Sequence, residues 1–174
     1  MSPTITEQVV LLDEAGTHIG VADKAAVHTT NTALHLAFSC HVYSPGGLVL
    51  VTRRALTKQT WPGVWTNSFC GHPSPDESME LAITRRAARE LGITLTDLEV
   101  VLPDFRYRAV DASGIVENEV CPVYRAVTTD AIAPAADEVA QFAWVDPQSL
   151  QAAAVATPFA FSPWLVWQLE ALSA

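Results

Sequence analysis

The sequence predicts an α/β (α+β) single domain, with a mixed β-sheet and helices packed on its faces. Three observations lead there: several segments alternate apolar and polar residues with period two, two segments carry helical caps, and 174 residues suffice for one well-buried core without any composition break.

In chain order, EQVVLLD near the start is the first strand. LHLAFSCHVY is the second, with Leu34, Leu36, Phe38, Cys40 and Val42 on one face and His35 on the other. The turn SPGG leads into LVLVTRR, a third strand. A helix is then expected from about Pro75 to Leu91, with Ser74 as N-cap, Pro75 at its first position, Glu77 as the reciprocal partner and Gly92 as the stop. NEVCPVYRAV reads as a further strand, and turn-like connections make the sheet antiparallel or mixed. The Ala-rich portion from Ala131 to Ala156 is the loosest part, anchored by Phe142 and Trp144, with a short helix near Pro147 to Ala154. The last helix begins in SPWLVWQLEAL, capped by Ser162 with Pro163 first.

Composition narrows the function. Half the residues are apolar, yet His, Pro, Gly and Arg interrupt every run before it could span a bilayer. The start, MSPTITEQVVLLDEAG, lacks a basic segment ahead of an apolar core, so the cytoplasm is the expected compartment. Cys40, Cys70 and Cys121 make an odd count without metal-finger spacing and are expected as free thiols. A net charge of −9 disfavours nucleic acid and membrane as partners. Between Arg53 and Arg89, however, six basic residues (Arg53, Arg54, Lys58, Arg85, Arg86, Arg89) face three acidic ones, which suits a local site for a small phosphorylated ligand.

In VENEVCP, Glu117 and Glu119 share one strand face about 7 Å apart, a costly pair if buried without a cation or proton. A solvated strand face is the plainer reading of those two alone. Three imidazoles meeting such carboxylates would suit a divalent transition metal, but spacing does not establish that His18, His28, His35, His41 or His72 converge. Cys70 and His72, two apart in TWPGVWTNSFCGHP, admit three readings: two metal ligands, a thiol acting as acid or base, or a small buried apolar group.

From Gly71 onward the chain resembles a degenerate Nudix box. Gly71, Glu77, Arg85, Ala87, Glu90, Gly92 and Ile93 fall on its frame, while Arg86 and Arg89 stand where the box has glutamate. In Nudix hydrolases those carboxylates gather Mg²⁺ around a diphosphate, so the exchange favours binding a diphosphate without cutting it. TRRALTKQTWPGVWTNSFCGHP, PDFRYRA, GIVENEVCPVY, FSPW and AVHTTNTALHLAF are similar to the motifs of type I isopentenyl-diphosphate isomerases within the Nudix superfamily. The similarity runs from about Val9 to Trp167, so residues 1–174 are read as one Nudix-type domain.

The resemblance implies interconversion of isopentenyl and dimethylallyl diphosphate by protonation and deprotonation, in isoprenoid biosynthesis, with a Nudix pyrophosphohydrolase as the alternative. It implies Glu119, assisted by Tyr107, and Cys70 as the proton-transferring groups, the reversible reaction exchanging their roles. It implies His28, His35, His72, Glu117 and Glu119 as ligands of one Mn²⁺ or Zn²⁺, and Glu90 with the Cys70 carbonyl as ligands of a Mg²⁺ that arrives with the substrate. Lys24, Arg54, Lys58 and Arg86 match residues that grip the diphosphate, Ser68 adds a hydrogen bond, and Trp164 covers the hydrocarbon. Trp61 and Trp65 are expected to shape the pocket wall, Cys40 and Cys121 to be structural, and His18 and His41 have no assigned role. A monomer or a homodimer is expected.

Overall fold

A computed structural model describes residues 7–174; the first six residues of the stretch read as no secretory signal lie outside it. In chain order the elements are β1 (Gln8–Leu12), β2 (His18–Asp23), α1 (Lys24–Val27), β3 (His35–Leu36), β4 (Phe38–Tyr43), β5 (Val49–Arg54), β6 (Trp65–Thr66), β7 (Phe69–Gly71) and α2 (Met79–Leu91). There follow β8 (Thr96–Leu102), β9 (Arg106–Val110), β10 (Val116–Val120), β11 (Val123–Val127), β12 (Val139–Val145), α3 (Pro147–Ala156), a 3₁₀ turn (Pro158–Ala160) and α4 (Pro163–Leu172).

Two mixed sheets form rather than one. The first runs β2-β1-β3-β10-β9 and the second β12-β5-β4-β11-β8, with β6 on β5 and β7 on β4. The two long strands expected from sequence each break and cross between sheets. LHLAFSCHVY divides at Ala37, and NEVCPVYRAV divides at Cys121 and Pro122, where proline offers no N–H to continue the ladder. The break separates the apolar residues read as one face: Leu34 and Leu36 pack with Val10 and Leu12, whereas Phe38, Cys40 and Val42 pack under α2. The β3–β10 and β4–β11 pairs are parallel, the other strand pairs antiparallel.

The second sheet is covered on both sides. Leu50, Phe38 and Cys40 face Ala82, Ile83 and Leu91 of α2, while Val49 and Val51 face Leu150 and Ala154 of α3 and Leu165 and Leu169 of α4. That is why four successive residues of β5, Val49 to Thr52, are all buried. In β4 the same alternation turns Ser39 and His41 toward α4.

Helix α4 begins as expected, Ser162 Oγ accepting from Leu165 N with Pro163 behind it. Helix α2 begins four residues later than expected, at Met79 with Ser78 as cap. Asp76 has φ 64°, a left-handed conformation that no helix tolerates, so the Ser74–Glu77 pair forms and closes a turn instead. Gly92 ends α2 at φ 68° as anticipated. In the Ala-rich portion Trp144 packs on the core, but Phe142 remains 40% exposed on β12 and anchors little. Among the described residues no helix is long and apolar enough to cross a membrane.

Candidate active site

Register brings the chemistry together. In the first sheet His35 of β3, Glu119 of β10 and Tyr107 of β9 stand abreast, Glu119 paired with His35 on one side and with Tyr107 on the other. In the second sheet Cys70 of β7 stands opposite Ser39 of β4. A cleft of about 560 Å³ is lined from the first sheet by Tyr107, Glu117 and Glu119 and from the second by Cys70 and Gly71.

His28, His35, His72 and Glu119 present ligand atoms that all lie within 4.8 Å of one another. Glu119 Oε1 is 3.0 Å from His72 Nε2, 3.4 Å from His35 Nε2 and 3.9 Å from His28 Nε2. His35 Nδ1 donates to the Ala33 carbonyl at 2.9 Å, which leaves its Nε2 lone pair pointing at the cluster. His28 Nε2 is buried with no hydrogen-bond partner. An orphaned imidazole nitrogen among two others and a carboxylate fits a divalent metal ion with mixed nitrogen and oxygen ligands. Burial opposes charge on Glu119, yet the three imidazoles gathered around it hold it well below the usual carboxylate range. Burial drives His72 down to about 4 despite Glu119.

Glu117 lies beside this group rather than in it, accepting from Thr60 Oγ1 at 2.6 Å and from Tyr107 OH at 2.7 Å. Burial, then the charge of Glu119, raises its pKa. The Tyr107 hydroxyl also reaches Glu119 Oε2 at 2.8 Å, so one phenol bridges both carboxylates. Burial first, and then those two charges, push the phenol well above its ordinary value.

Lys24, Arg54, Lys58 and Arg86 all line the cleft. Three of them rest on carboxylates: Lys24 on Glu7, Lys58 on Glu138, and Arg86 on Glu90 (3.0 Å) and Glu138 (2.9 Å). Arg54 holds the loop by donating to the Thr60 carbonyl at 2.8 Å, with its guanidinium 5.5 Å from the Trp164 ring centroid. Arg86 Nε also meets the Cys70 carbonyl at 3.4 Å, so the two oxygens expected to hold Mg²⁺ already converge on one cation. Gly71 makes the approach possible: a Cβ there would stand 2.7 Å from Phe38 and 3.1 Å from Arg86.

Cys70 and His72 have separate surroundings. The Cys70 sulfur contacts Ser39 Oγ and Asn67 Oδ1, each at 3.3 Å. Burial pushes the thiol up to about 12, with the hydrogen bond from Ser39 the leading opposing influence. Trp164, 1% exposed, stacks on Tyr107 at 5.7 Å, meets Trp61 edge-on at 5.2 Å, and donates to Asn67 Oδ1 at 3.1 Å.

Several expectations change. Ser68 is fully buried and does not line the cleft; its hydroxyl donates to the Leu50 carbonyl at 2.6 Å and accepts from Val42 N at 2.7 Å, which ties strands together and leaves nothing for a diphosphate. Trp65 packs under α4 with Val49 and Leu165, away from the cleft, whereas Trp61 supports the wall through Trp164. Arg89 points outward to Asp137 at 3.1 Å, so Arg86 alone of the two substituted arginines faces the cleft. Cys40 and Cys121 are fully buried, as expected of structural thiols. His18 is exposed and caps its own strand at Gly20. Asn67, Thr60 and Glu138 were not foreseen. The only prior sign of the first two was their place in the stretch that holds Cys70.

Fold and site together define a Nudix protein, and the NUDIX domain model matches residues 33–165. A Deinococcus radiodurans crystal structure superposes with TM-score 0.74 at 17% identity over 97% of this chain and 100% of its own, and a MutT protein from Methanosarcina mazei with 0.63 at 16% over 80% and 93%, which supports the fold alone. Proteins named isopentenyl-diphosphate Delta-isomerase are far nearer in sequence. That of Clavibacter sepedonicus is 62% identical over 98% of this chain and 90% of its own length, that of Agromyces mediolanus 63% over 95% and 81%, and that of Corynebacterium glutamicum 56% over 97% and 92%. The chain belongs to the isopentenyl-diphosphate Delta-isomerase family of Nudix proteins.

Proposed function

We propose that the protein interconverts isopentenyl diphosphate and dimethylallyl diphosphate, an isomerisation that moves a C=C bond. The observation that carries this reading is one cleft receiving a thiol from one sheet and a phenol-linked carboxyl from the other, beside a group of cations. An unactivated alkene is a feeble base, so the site needs a positioned acid, a base for the far end of the three-carbon unit, and exclusion of water.

Glu119, hydrogen-bonded to Tyr107, and Cys70 are the proton-transferring pair, one giving a proton to one end of the three-carbon unit while the other takes a proton from the far end. A C–H bond forms, the double bond shifts as the second C–H bond breaks, and reversal exchanges the two roles. The Trp164 indole meets the cationic carbon with its π face. Lys24, Arg54, Lys58 and Arg86 bind the diphosphate, three of them leaving carboxylate partners to do so.

His28, His35, His72 and Glu119, with Glu117 next to them, would hold a Mn²⁺ or Zn²⁺ ion, which supplies positive charge that makes a proton on Glu119 more acidic. Glu90 and the Cys70 carbonyl would hold the Mg²⁺ accompanying the diphosphate, neutralising part of its charge. The substrate class places the protein in isoprenoid biosynthesis.

Nudix hydrolysis is the competing chemistry, and Arg86 in place of a metal-binding carboxylate argues against it. Incubation with isopentenyl diphosphate and Mg²⁺ should yield dimethylallyl diphosphate without phosphate; release of phosphate with no allylic product would establish the hydrolase instead.

A further inference from the structure

Behind Cys70 a line of buried polar side chains runs away from the cleft. Ser39 Oγ lies 3.3 Å from the Cys70 sulfur, Gln168 Nε2 donates to Ser39 Oγ at 2.9 Å, and Gln168 Oε1 lies 2.9 Å from His41 Nε2. Ser39 and Gln168 are fully buried and His41 is 2% exposed, so none of these groups can turn to water for a substitute. The fold fixes the line at both ends. Ser39 and His41 share one face of β4, Ser39 is the cross-strand partner of Cys70, and Gln168 sits one helical turn beyond Trp164 on α4.

The direction of the hydrogen bonds follows from counting hydrogens. Asn67 Nδ2 donates to the carbonyls of Phe69 (2.8 Å) and Cys40 (3.2 Å), so its Oδ1 is an acceptor, meeting Thr66 Oγ1, Trp164 Nε1 and the Cys70 sulfur. Asn67 therefore receives a proton carried on sulfur but gives nothing to a bare thiolate. Ser39 is the remaining side chain in contact that can donate. Gln168 Nε2 donates to its oxygen, which leaves its one hydrogen available to a sulfur, at Cys70 (3.3 Å) or at Cys121 (3.4 Å). The Gln168 oxygen faces His41 and its NH₂ faces Ser39, an orientation that a hydrogen on His41 Nε2 satisfies. The opposite amide orientation would place an oxygen on Ser39 and draw the hydroxyl hydrogen away from Cys70.

We propose that His41, Gln168 and Ser39 are positioning residues for the isomerisation: His41 sets the amide of Gln168, Gln168 sets the hydroxyl of Ser39, and Ser39 holds its hydrogen on the Cys70 sulfur. This rests on the reading of Cys70 as the proton-carrying thiol. When Cys70 takes the proton, a C–H bond breaks, an S–H bond forms and turns to Asn67 Oδ1, and the electron pair becomes the new π bond. The Ser39 hydrogen bond fixes where the Cys70 sulfur stands at the wall of the cleft.

The test measures kcat and KM for isopentenyl diphosphate in wild type, Ser39→Ala, Ser39→Thr and Gln168→Glu. Ser39→Ala removes the donor, and Gln168→Glu keeps the shape of the amide but accepts from Ser39 and turns its hydrogen away. Each should lower kcat about ten- to a hundredfold, the range for a hydrogen bond to a charged group, with KM within about twofold. Ser39→Thr, which keeps a hydroxyl, should recover most of the loss. Should Gln168→Glu fail to fold, Gln168→Met keeps the length, removes both hydrogen bonds and predicts the same loss. Folded Ser39→Ala with kcat within twofold of wild type, or with the whole effect in KM, would overturn the positioning chain while leaving the isomerase reading intact. A wild type without isomerase activity would overturn both.

Discussion

Arg86→Met removes the one guanidinium that stands where a Nudix hydrolase has carboxylate and that also faces the cleft. Its side chain is 11% exposed and pairs with Glu90 at 3.0 Å and with Glu138 at 2.9 Å. Breaking a buried pair by removing one partner costs about 3–5 kcal/mol, because the orphaned charges stay behind. For a chain of this size that lowers Tm by roughly 6–20 °C. Burial raises the pKa of Glu90, and Arg86 is the leading influence that opposes it, so without Arg86 the rise should grow and soften the loss. The lower half of that range is the expectation. Binding suffers independently: one charge-assisted hydrogen bond to phosphate contributes about 1.5–3 kcal/mol, so the Kd for inorganic diphosphate with Mg²⁺ should rise about 10- to 150-fold. Calorimetric titration gives the Kd and a thermal melt gives the Tm. A folded Arg86→Met protein whose Kd stays within threefold of wild type would refute the assignment of Arg86 to the diphosphate.

Gly71→Ala should lower diphosphate affinity and Tm together, because its Cβ would meet ring carbons of Phe38 at 2.7 Å and push on Arg86; titration and melting of this one variant check it. Protein purified without chelator should carry about one transition-type metal ion per chain by elemental analysis, and His35→Ala should lose it, since His35 is buried with its Nε2 on the cluster. Glu77 is held below the usual carboxylate range first by its hydrogen bond from Arg85. Its contribution is thus complete above the unfolded-state pKa and lost as pH falls through the lower folded-state value, so the stability gap between wild type and Glu77→Gln should close on acidification below about pH 4 in denaturant titrations.

What was legible in the sequence follows from how local each signal is. Ser162 and Pro163 cap α4 using neighbours only, and α4 lies where they place it. Ser74 and Glu77 form an equally local pair, but a left-handed Asp76 turns it into a turn, and no pattern of side-chain types reveals that backbone angle. Strand periodicity located β3–β4 and β10–β11 but not their breaks, which depend on which sheet each half joins. Convergence of His28, His35 and His72 on Glu119 is likewise a product of register across distant strands, and resemblance to a family supplied what spacing did not. Ser68 differs from what the resemblance implies because a motif carries a residue's position and not its partners, and its hydroxyl is committed to two strands. His41, Gln168 and Asn67 were silent because buried polar residues declare themselves only through their partners.

The central claim is that protons pass between a thiol on one sheet and a phenol-linked carboxyl on the other. Turnover of Cys70→Ala tests it most directly, measured beside its Kd for inorganic diphosphate with Mg²⁺. Loss of a positioned acid or base predicts a fall of about 10²- to 10⁴-fold with the Kd within roughly threefold of wild type. Turnover within tenfold of wild type would contradict the account.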